Sequence, residues 1–385
     1  MLTIIVFIII LSLLVFVHEV GHFVVARKLG VKAEEFGLGF PPRAFGFYKN
    51  TEGKWKFVFG GKEAENAADT VYSVNWIPLG GFVKIKGENG DNSDPDSFIN
   101  KKIWQRASIL AAGVSMNMIL AAALLSAGFM IGLPQALDGV NKKAEITDKR
   151  IQVLEVLPES PAAKSGLKFG DTIISVDNNE FTSNSGLQSF VNGKVDQELE
   201  YKIKRGDEEK VFKVTPEIMK ETGRGGIGIA ITETGTVRYP WYMAVWEGVK
   251  TSVILTWLIL AAFYELLKNL ILGHGVTADI AGPVGIATMT GQAARMGLVY
   301  VIQFTALLSI NLAIVNFLPI PALDGGRILF LIIEKIKHRP VRRELEALLH
   351  NIGFILLMAL VALVTFRDIM KLGDKFKMIF EKIIN

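Results

Sequence analysis

Hydrophobic residues are concentrated in long blocks along this chain, and polar stretches separate the blocks. Four blocks are close to or longer than the ~20 residues that a helix needs to cross a bilayer. They lie at Leu2–Val25, Trp104–Leu133, Met296–Leu318 and Leu348–Phe366. Because strands are far shorter than these blocks, the pattern predicts a polytopic α-helical membrane protein with about four transmembrane helices.

The stretches between the blocks carry a different pattern. Val71–Lys86 alternates in the manner of a β-hairpin, with Pro78–Gly81 at its bend. Residues 145–232 contain charges, short β-like runs and turns, which predict one inserted α+β domain of ordinary size. The predicted organisation is an N-terminal membrane core, an inserted domain, an interfacial region and a C-terminal membrane core, at 1–140, 145–232, 238–290 and 291–385.

A fifth apolar segment, Trp241–Leu272, is predicted to be an interfacial helix rather than a span. Glu247 and Glu265 are 18 residues apart, as are Lys250 and Lys268. With about 3.6 residues per turn, all four charges fall on one helical face. The charge-free centre is shorter than the ~20 residues of a span, and aromatic residues gather at one end, which fits a helix at the membrane surface.

Composition narrows the chemistry. Half of the 385 residues are hydrophobic, there is no cysteine, and the formal net charge is +4. Disulfides, thiolate ligands and a cysteine nucleophile are therefore excluded. In a membrane protein the basic residues inform orientation, and no nucleic-acid partner is expected. The N-terminal block lacks a basic leader and contains His18 and Glu19, so we interpret it as a retained helix rather than a signal peptide.

His18, Glu19 and His22 form the pattern HExxH inside the first block. On a helix the two histidines lie on one face and can bind one Zn²⁺, while Glu19 lies beside the metal and can act as general base toward its water. The alternative is an accidental pair of interfacial histidines. A carboxylate near a membrane-helix centre costs ~2.5–3.5 kcal/mol on insertion scales, which favours the metal site.

A catalytic zinc usually has three protein ligands, so one is missing. The strongest acidic candidate is Asp324, which follows Pro319 and Pro321 and precedes Gly325 and Gly326 at the end of an apolar block. This composition predicts a broken helix at membrane depth, which is tolerated only where the backbone is buried in protein or lines a cavity. Alternatively, Asp324 merely caps the helix that begins near Gly326.

Topology tests this pairing. His18 and Asp324 lie near the C-terminal ends of the first and third predicted spans, so they share a metal only if one crossing lies between those spans. Trp104–Leu133 supplies that crossing, which again requires Trp241–Leu272 to stay in the interface. Lysine and arginine are frequent after the first and third spans, so both loops are predicted to be cytoplasmic and the inserted domain extracytoplasmic. The basic tail opposes this orientation.

These motifs resemble the site-2 protease family, and their order resembles its bacterial RseP-type members. HExxH at His18–His22 and NxxPxPxLDGG at Asn316–Gly326 match the family's motifs. Ala112–Asn117 is similar to the family's GxxxN signature, and Gly282–Gly285 resembles another family segment. The resemblance covers nearly the whole chain. It implies a zinc-dependent intramembrane endopeptidase of the bacterial inner membrane, acting on single-pass membrane proteins such as an anti-sigma factor or remnant signal peptides.

The resemblance also implies roles for individual residues. His18, His22 and Asp324 would bind zinc, Glu19 would be the base, and Asn316 would contact the substrate backbone. The active site would lie toward the cytoplasmic side.

Two further segments gain an interpretation in the same way. The Val71–Lys86 hairpin would re-enter the membrane and hold the extended substrate as an added strand; a plain connector is the alternative. Leu157–Asp171 and Gly226–Ile229 resemble segments of a PDZ domain, present once, which would bind a peptide ligand or act as a steric filter.

Two other functional classes compete with the protease. A membrane scaffold or transporter with a structural metal site would bind metal without turnover, and it would not need Glu19. A membrane-anchored zinc peptidase that cuts soluble peptides would need its site well outside the bilayer, whereas a nearly unbroken apolar run precedes His18.

Overall fold

The computed structural model describes residues 2–64, 67–88, 94–206, 208–219, 223–273 and 281–384, with the backbone alone at residues 343 and 372–384. The chain divides into two compact units. One combines Met1–Ser126 with Val245–Asn385, and the other is Ala127–Ala244.

The helices alternate with strands along the chain. The helices are α1 (Leu2–Lys28), α2 (Ile103–Ile131), α3 (Pro161–Ser165), α4 (Asn184–Asn192), α5 (Trp241–Ile271), α6 (Pro283–Met296), α7 (Leu298–Phe317), α8 (Asp324–Lys337) and α9 (Arg343–Ile384). The strands are β1 (Ala33–Lys49), β2 (Trp55–Phe59), β3 (Val71–Ile85), β4 (Leu133–Ala136), β5 (Glu145–Val156), β6 (Thr172–Val176), β7 (Leu199–Arg205), β8 (Glu208–Val214), β9 (Glu217–Ile218), β10 (Gly225–Gly226) and β11 (Ile229–Arg238).

Within the described residues, five helices are long and apolar enough to cross a membrane: α1, α2, α5, α7 and α9 over Glu344–Lys371. Four of them coincide with the predicted spans. For most of these helices, the predicted first and last residues differ from the observed ones by only a few positions. The last helix is longer than predicted, because it begins at Arg343 and continues through the basic tail to Ile384. The molecule is therefore a membrane protein built on several apolar helices.

The fifth of these helices, α5, is the segment predicted to lie in the interface. It forms 31 continuous helical residues, and none of its most apolar window is buried inside the protein. It approaches α2 closely at Gly248, where an added Cβ would meet Ser126. Eight residues further along both helices, Thr256 lies 3.9 Å from the sulfur of Met118. The first half of α5 thus contacts α2, and whether α5 spans the membrane or lies in the interface stays a prediction.

The sheet of the first unit has the order β2-β1-β3, and β1 is antiparallel to β2. The start of β1 is antiparallel to the second arm of β3, while Glu35–Leu38 pairs in ascending register with Val71–Val74 of the first arm. The sequence predicts a hairpin whose two arms pair with each other. Instead, the N-terminal section of β1 lies between the arms: Phe36 pairs with both Tyr72 and Val83. Gly37 permits this insertion, because a Cβ at that position would collide with the Phe82 ring.

The second unit is an antiparallel six-stranded sheet with the order β4-β11-β5-β6-β7-β8, covered by α3 and α4. Its core consists of fully buried apolar side chains, among them Ile151, Val153, Val176, Leu199, Tyr201 and Ile203. The buried carboxylate of Asp171 accepts two hydrogen bonds of 2.7 Å from Arg205 and closes one end of this core. Strand β4 and the end of β11 extend the sheet beyond residues 145–232, within which the sequence predicts an α+β domain.

A smaller apolar cluster lies beside the candidate site in the first unit. Ala26 of α1, Ile109 and Leu110 of α2, and Leu331 of α8 pack together there with the end of β3. Burial of these side chains stabilises the arrangement of α1, α2 and α8 that the site requires, at roughly 25 cal/mol per Å² of apolar surface.

Candidate metal centre

Helix α1 places His18 and His22 one turn apart on the same face, as the i, i+4 spacing requires. Both side chains are buried, and their Nε2 atoms are 3.1 Å apart. The helix carries no glycine or proline before Gly21, so its regular geometry holds the two rings in register. Gly21 is needed for packing rather than for a turn, because a Cβ there would meet the carbonyl of Ala112 in α2.

Asp324 reaches the same place from the other end of the chain. Its Oδ2 atom lies 3.0 Å from His18 Nε2 and 3.3 Å from His22 Nε2. One ligand atom from each of the three residues fits within 4.8 Å. This is the one group of three potential ligands that comes together in the described stretches of the chain.

The break between α7 and α8 delivers Asp324 to the histidines. Residue Leu323 is the N-cap of α8, and no side chain makes a capping hydrogen bond there. Asp324 is therefore the first helical residue and does not cap the helix, which was the alternative interpretation of its sequence context. The turn is tight: Cβ atoms at Gly325 and Gly326 would collide with backbone carbonyls, so both positions require glycine.

The second nitrogen of each histidine is directed away from the cluster. His22 Nδ1 lies 2.8 Å from the carbonyl oxygen of Ile109, so it must carry the proton and donate it. His18 Nδ1 lies 3.3 Å from the Asn117 amide. Asn117 is fully buried, and within the described residues its Oδ1 has no hydrogen-bond partner. Rotating the amide by 180° lets Oδ1 accept a hydrogen bond from the N–H at His18 Nδ1, which satisfies both groups.

With both Nδ1 atoms protonated, the two Nε2 atoms and the Asp324 carboxylate converge as three acceptors without a donor between them. A cation satisfies such a set, and two imidazoles with one carboxylate are ligands that suit Zn²⁺. Gly113 of α2 keeps the space open, because an added Cβ would lie 2.5 Å from His22 Nε2 and 2.6 Å from His18 Nε2. The residues present therefore fit a zinc ion.

Glu19 lies outside this ligand set but close enough for its charge to interact with His18, His22 and Asp324. Asn316 is half-buried next to the last residue of α7, at the entrance to the turn that carries Asp324. Glu19 thus lies near the cluster, and Asn316 lies just before the turn that carries Asp324. Their roles, like those of the three clustered side chains, stay predictions.

Several residues that shape the site receive no role from sequence reasoning. Gly113 and Asn117 belong to the GxxxN pattern, yet that pattern does not connect them to the histidines. His350 of α9 also supports the turn before Asp324, because its Nδ1 accepts a 3.3 Å hydrogen bond from the backbone N–H of Ala322. Of the other histidines, His338 is exposed, and His274 lies outside the described residues.

Known proteins share these features over almost the whole chain. Residues 6–360 match the description of peptidase family M50. A protein described as a zinc metalloprotease, from Brucella suis biovar 1 (strain 1330), is 32% identical over 389 residues and is covered to 95%, as is this chain. The regulator of sigma-W protease RasP of Bacillus subtilis (strain 168) is 32% identical over 455 residues, covering 96% of this chain and 99% of that protein.

Among solved structures, the PDZ domain of an SdrC-like protein from Listeria monocytogenes is similar to 23% of this chain. It is 27% identical, 92% of that domain is covered, and the TM-score is 0.21. The resemblance carried by the HExxH and NxxPxPxLDGG motifs is confirmed by the match over residues 6–360: the chain belongs to peptidase family M50, the site-2 proteases.

Proposed function

We propose that this zinc-dependent intramembrane endopeptidase holds its metal through His18 Nε2, His22 Nε2 and one carboxylate oxygen of Asp324. The observation that carries the proposal is the convergence of these three side chains, because His18 and Asp324 are 306 residues apart in the chain yet 3.0 Å apart in space. A bound zinc ion supplies a water molecule of lowered pKa and polarises the scissile carbonyl.

Glu19 acts as the general base in this proposal. Its carboxylate accepts a proton from the attacking water and passes it to the leaving amine, as general acid–base catalysis requires. Its position one residue after His18 explains how it stays near the ligands without joining them. Asn316, at the entrance to the turn that carries Asp324, holds the substrate backbone by hydrogen bonds from its amide.

The substrates are single-pass membrane proteins, whose peptide bonds are hidden until the helix is extended. Strand β3 supports this substrate class, because its bend reaches the middle of α1. Ser12 Oγ donates to the Pro78 carbonyl at 3.0 Å and accepts from the Gly80 N–H at 3.2 Å. Ser12 lies near the centre of the apolar helix, so the bend of β3 re-enters the membrane and offers backbone pairing to an extended substrate there.

The proposed topology has four crossings, with both ends of α5 on the side that holds the N-terminus of α1. Helix α6 supports this, because Gly291 packs against Thr3 at that end. Only eight residue steps separate Gly273 from Ala281, a reach of about 28 Å when fully extended. A fully crossing α5 would end on the opposite side, and so short a connection could not return across a hydrocarbon core of ~30 Å. The inserted domain then lies outside the cell, and the metal lies toward the cytoplasm.

The inserted PDZ-like domain has a groove suited to a peptide. A cavity of about 740 Å³ lies between α4 and the start of β11, and Leu187, Ile229 and Ile231 are among its lining residues. Strand β11 pairs with β5 along one side in this region, while its other side faces the groove. We include a peptide that adds to this strand among the proposed ligands, alongside a purely steric role for the domain.

The decisive experiment measures zinc content and cleavage on the same purified protein. His18→Ala, His22→Ala and Asp324→Ala should each lose zinc, because two ligands hold it much less tightly than three. His338→Ala removes an exposed histidine and should retain zinc, which makes it the matched control.

Glu19→Gln distinguishes the enzyme hypothesis from the alternative of a scaffold with a structural metal site. It should keep zinc and lose at least ~100-fold in cleavage of a single-span substrate, because an amide cannot accept the proton. Zinc binding by the wild type without any cleavage would favour the scaffold, and full zinc content in Asp324→Ala would move the third ligand elsewhere.

A further inference from the structure

The C-terminal section of β1 and the whole of β2 form a two-stranded ribbon with aromatic residues on one face. Phe45 pairs with Phe59, Phe47 with Phe57, and Lys49 with Trp55, so these side chains share one side of the ribbon. We call Phe45, Phe47, Trp55, Phe57 and Phe59 the aromatic face. All five are exposed, from 38% for Phe47 to 70% for Phe57.

Folding of the ribbon does not depend on this face. The opposite face buries Tyr48 and Val58 together with Val71 of β3, and Ala64 and Ala67 pack on that cluster. The ribbon thus has its own apolar support on one side and presents five large aromatic side chains on the other. Contiguous exposed apolar patches of this kind mark contact with a partner or a membrane.

The aromatic face continues the surface of the membrane helix α1. Phe47 stacks on Tyr72 with ring centroids 5.6 Å apart, and Tyr72 meets Phe23 of α1 edge-on at 6.1 Å. Arg27, in the last turn of α1, donates a hydrogen bond to the Tyr72 hydroxyl. The aromatic face is therefore on the side of the sheet that packs against α1, and it begins at the level where α1 ends.

Residue types change along the ribbon in the order found across a membrane interface. Phe45 and Phe59 lie two residues, or ~7 Å, from Phe47 toward the bend of β3, whereas Lys49 and Trp55 lie ~7 Å in the other direction. Phenylalanine thus occupies the deeper end, and tryptophan and lysine occupy the outer end, where headgroups are expected. Lys49 Nζ also lies 5.5 Å from the centre of the Trp55 ring, an arrangement that keeps a cation beside the aromatic face.

The charge around the ribbon has one dominant sign. Residues 43–62 contain five basic side chains and one acidic one, Glu52. Arg43 is neutralised by an ion pair with Glu35, which leaves a formal net charge of +3. Anionic headgroups complement such a surface, whereas a neutral protein groove would not need it.

We propose that the aromatic face inserts into the headgroup region of the leaflet that holds the C-terminal end of α1, and that anionic lipids are its partner. The continuity with α1, the order of residue types with depth and the positive charge all identify a bilayer as the occupant. The ribbon then braces the sheet, and with it the bend of β3, against the membrane. This surface is separate from the metal centre, and its test does not involve proteolysis.

The experiment uses single cysteines in the full-length protein, which has no native cysteine. Phe57→Cys carries an environment-sensitive fluorophore on the aromatic face, and Lys56→Cys carries it at an exposed position on the opposite face of the same strand. Both proteins are placed in lipid nanodiscs containing phosphatidylglycerol and headgroup spin-labelled lipid. The label at position 57 should be quenched several-fold more strongly than the label at position 56, and its emission should shift to the blue.

Two further cysteines test the depth order and guard against a local effect of one substitution. A label at position 59 should be quenched more by acyl-chain spin labels than a label at position 55. Unchanged circular dichroism and zinc content show that each variant is folded.

Equal quenching at 56 and 57, or no depth difference between 55 and 59, would overturn the proposal. A label at 57 shielded from both lipid spin labels and aqueous iodide would mean that a protein covers the face instead. Equal quenching at 57 in phosphatidylcholine alone would remove the anionic partner from the proposal.

Discussion

At the scale of single residues, the candidate centre depends on a missing side chain as well as on the ligand side chains. Gly113 contributes no side chain, and this leaves the space in front of both Nε2 atoms open. The side-chain amide of Asn117 contacts His18 Nδ1, and the carbonyl oxygen of Ile109 contacts His22 Nδ1. Outer contacts of this kind orient metal-binding histidines and fix which nitrogen is free to bind.

Gly113→Ala tests this arrangement. The added methyl group would lie 2.5 Å from His22 Nε2, so the rings must move apart. We expect zinc affinity to fall by about 10–100-fold, the range seen for loss of supporting contacts. The measurement is zinc retained during titration with a chelator.

The control for this substitution is Ser115→Ala, an exposed position on the same helix that should bind zinc as the wild type does. Alanine is a better helix former than glycine by roughly 1 kcal/mol, so general unfolding of α2 is not expected. Wild-type affinity in Gly113→Ala would mean that the metal does not occupy the space in front of this glycine.

The sequence identifies the site residues whose importance can be recognised from their immediate neighbours in the chain. His18, Glu19 and His22 are within about one helical turn, so their joint position follows from spacing alone. Asp324 follows from an unusual context, a lone carboxylate among prolines and glycines. Residues such as Gly113, Asn117 and His350 could not be assigned in this way, because their importance arises from contacts between helices that are distant in the sequence.

At the scale of elements, helices were predicted better than strands. An apolar block of about 20 residues has few alternatives to a membrane helix. Strand β1 contains Gly37, Gly39 and two prolines, which are uncommon inside strands, and its place between the arms of β3 depends on pairing that no local pattern encodes. The Gly282–Gly285 segment has no function that its sequence reveals, and the structure now supplies a physical one.

Gly282–Gly285 forms the start of α6 and receives the buried carboxylate of Asp368 from α9. Asp368 Oδ2 accepts a 2.7 Å hydrogen bond from the Gly285 N–H, and Cβ atoms at Gly282 or Gly285 would lie 2.9 or 3.1 Å from that oxygen. Asp368→Ala leaves the N–H without this acceptor and should destabilise the contact by about 1–3 kcal/mol. A lower midpoint of thermal unfolding in detergent would show it.

Asp368→Asn serves as the comparison for that substitution. Its amide oxygen can still accept the hydrogen bond, so its unfolding midpoint should lie between those of Asp368→Ala and the wild type. If Asp368→Ala unfolds at the wild-type temperature, the carboxylate does not link α6 to α9.

The proposed path of α5 is tested by labelling from one side of the membrane. Single cysteines replacing Pro240 and Gly273, just outside the helix, should both react with an impermeant thiol reagent added to the extracytoplasmic side. The reason is the short connection from Gly273 to Ala281 together with the position of α6 near Thr3. Reaction from opposite sides would make α5 a fifth span and would contradict the proposed topology.

At the scale of the whole molecule, the chain combines a membrane unit and a separate sheet domain, and the described ligand cluster lies entirely in the former. We therefore expect catalysis to persist when the domain is removed. The excision should run from Leu133 to Arg238, because β4 and the end of β11 belong to the same sheet. A short linker suffices, since the Tyr239 N–H donates a 2.9 Å hydrogen bond to the Phe129 carbonyl.

The shortened protein should retain zinc and cleave an unstructured membrane-anchored substrate at a rate within about tenfold of the wild type, a change of no more than ~1.4 kcal/mol in the barrier. Its selectivity among folded substrates should change, because the groove and the bulk of the domain are gone. A version that binds zinc but cleaves no substrate would show that the domain contributes to the reaction itself.

The distance along the chain between the two halves of the metal centre also has a consequence for biosynthesis. His18 emerges from the ribosome 306 residues before Asp324. At about 5–20 residues per second, the first half waits roughly 15–60 s for the second. During that interval the nascent chain has the proposed base and two of the proposed ligands, but not the third. The proposed ligand set thus predicts that peptide hydrolysis begins only after most of the polypeptide has been made, and that a product truncated before Asp324 cleaves nothing.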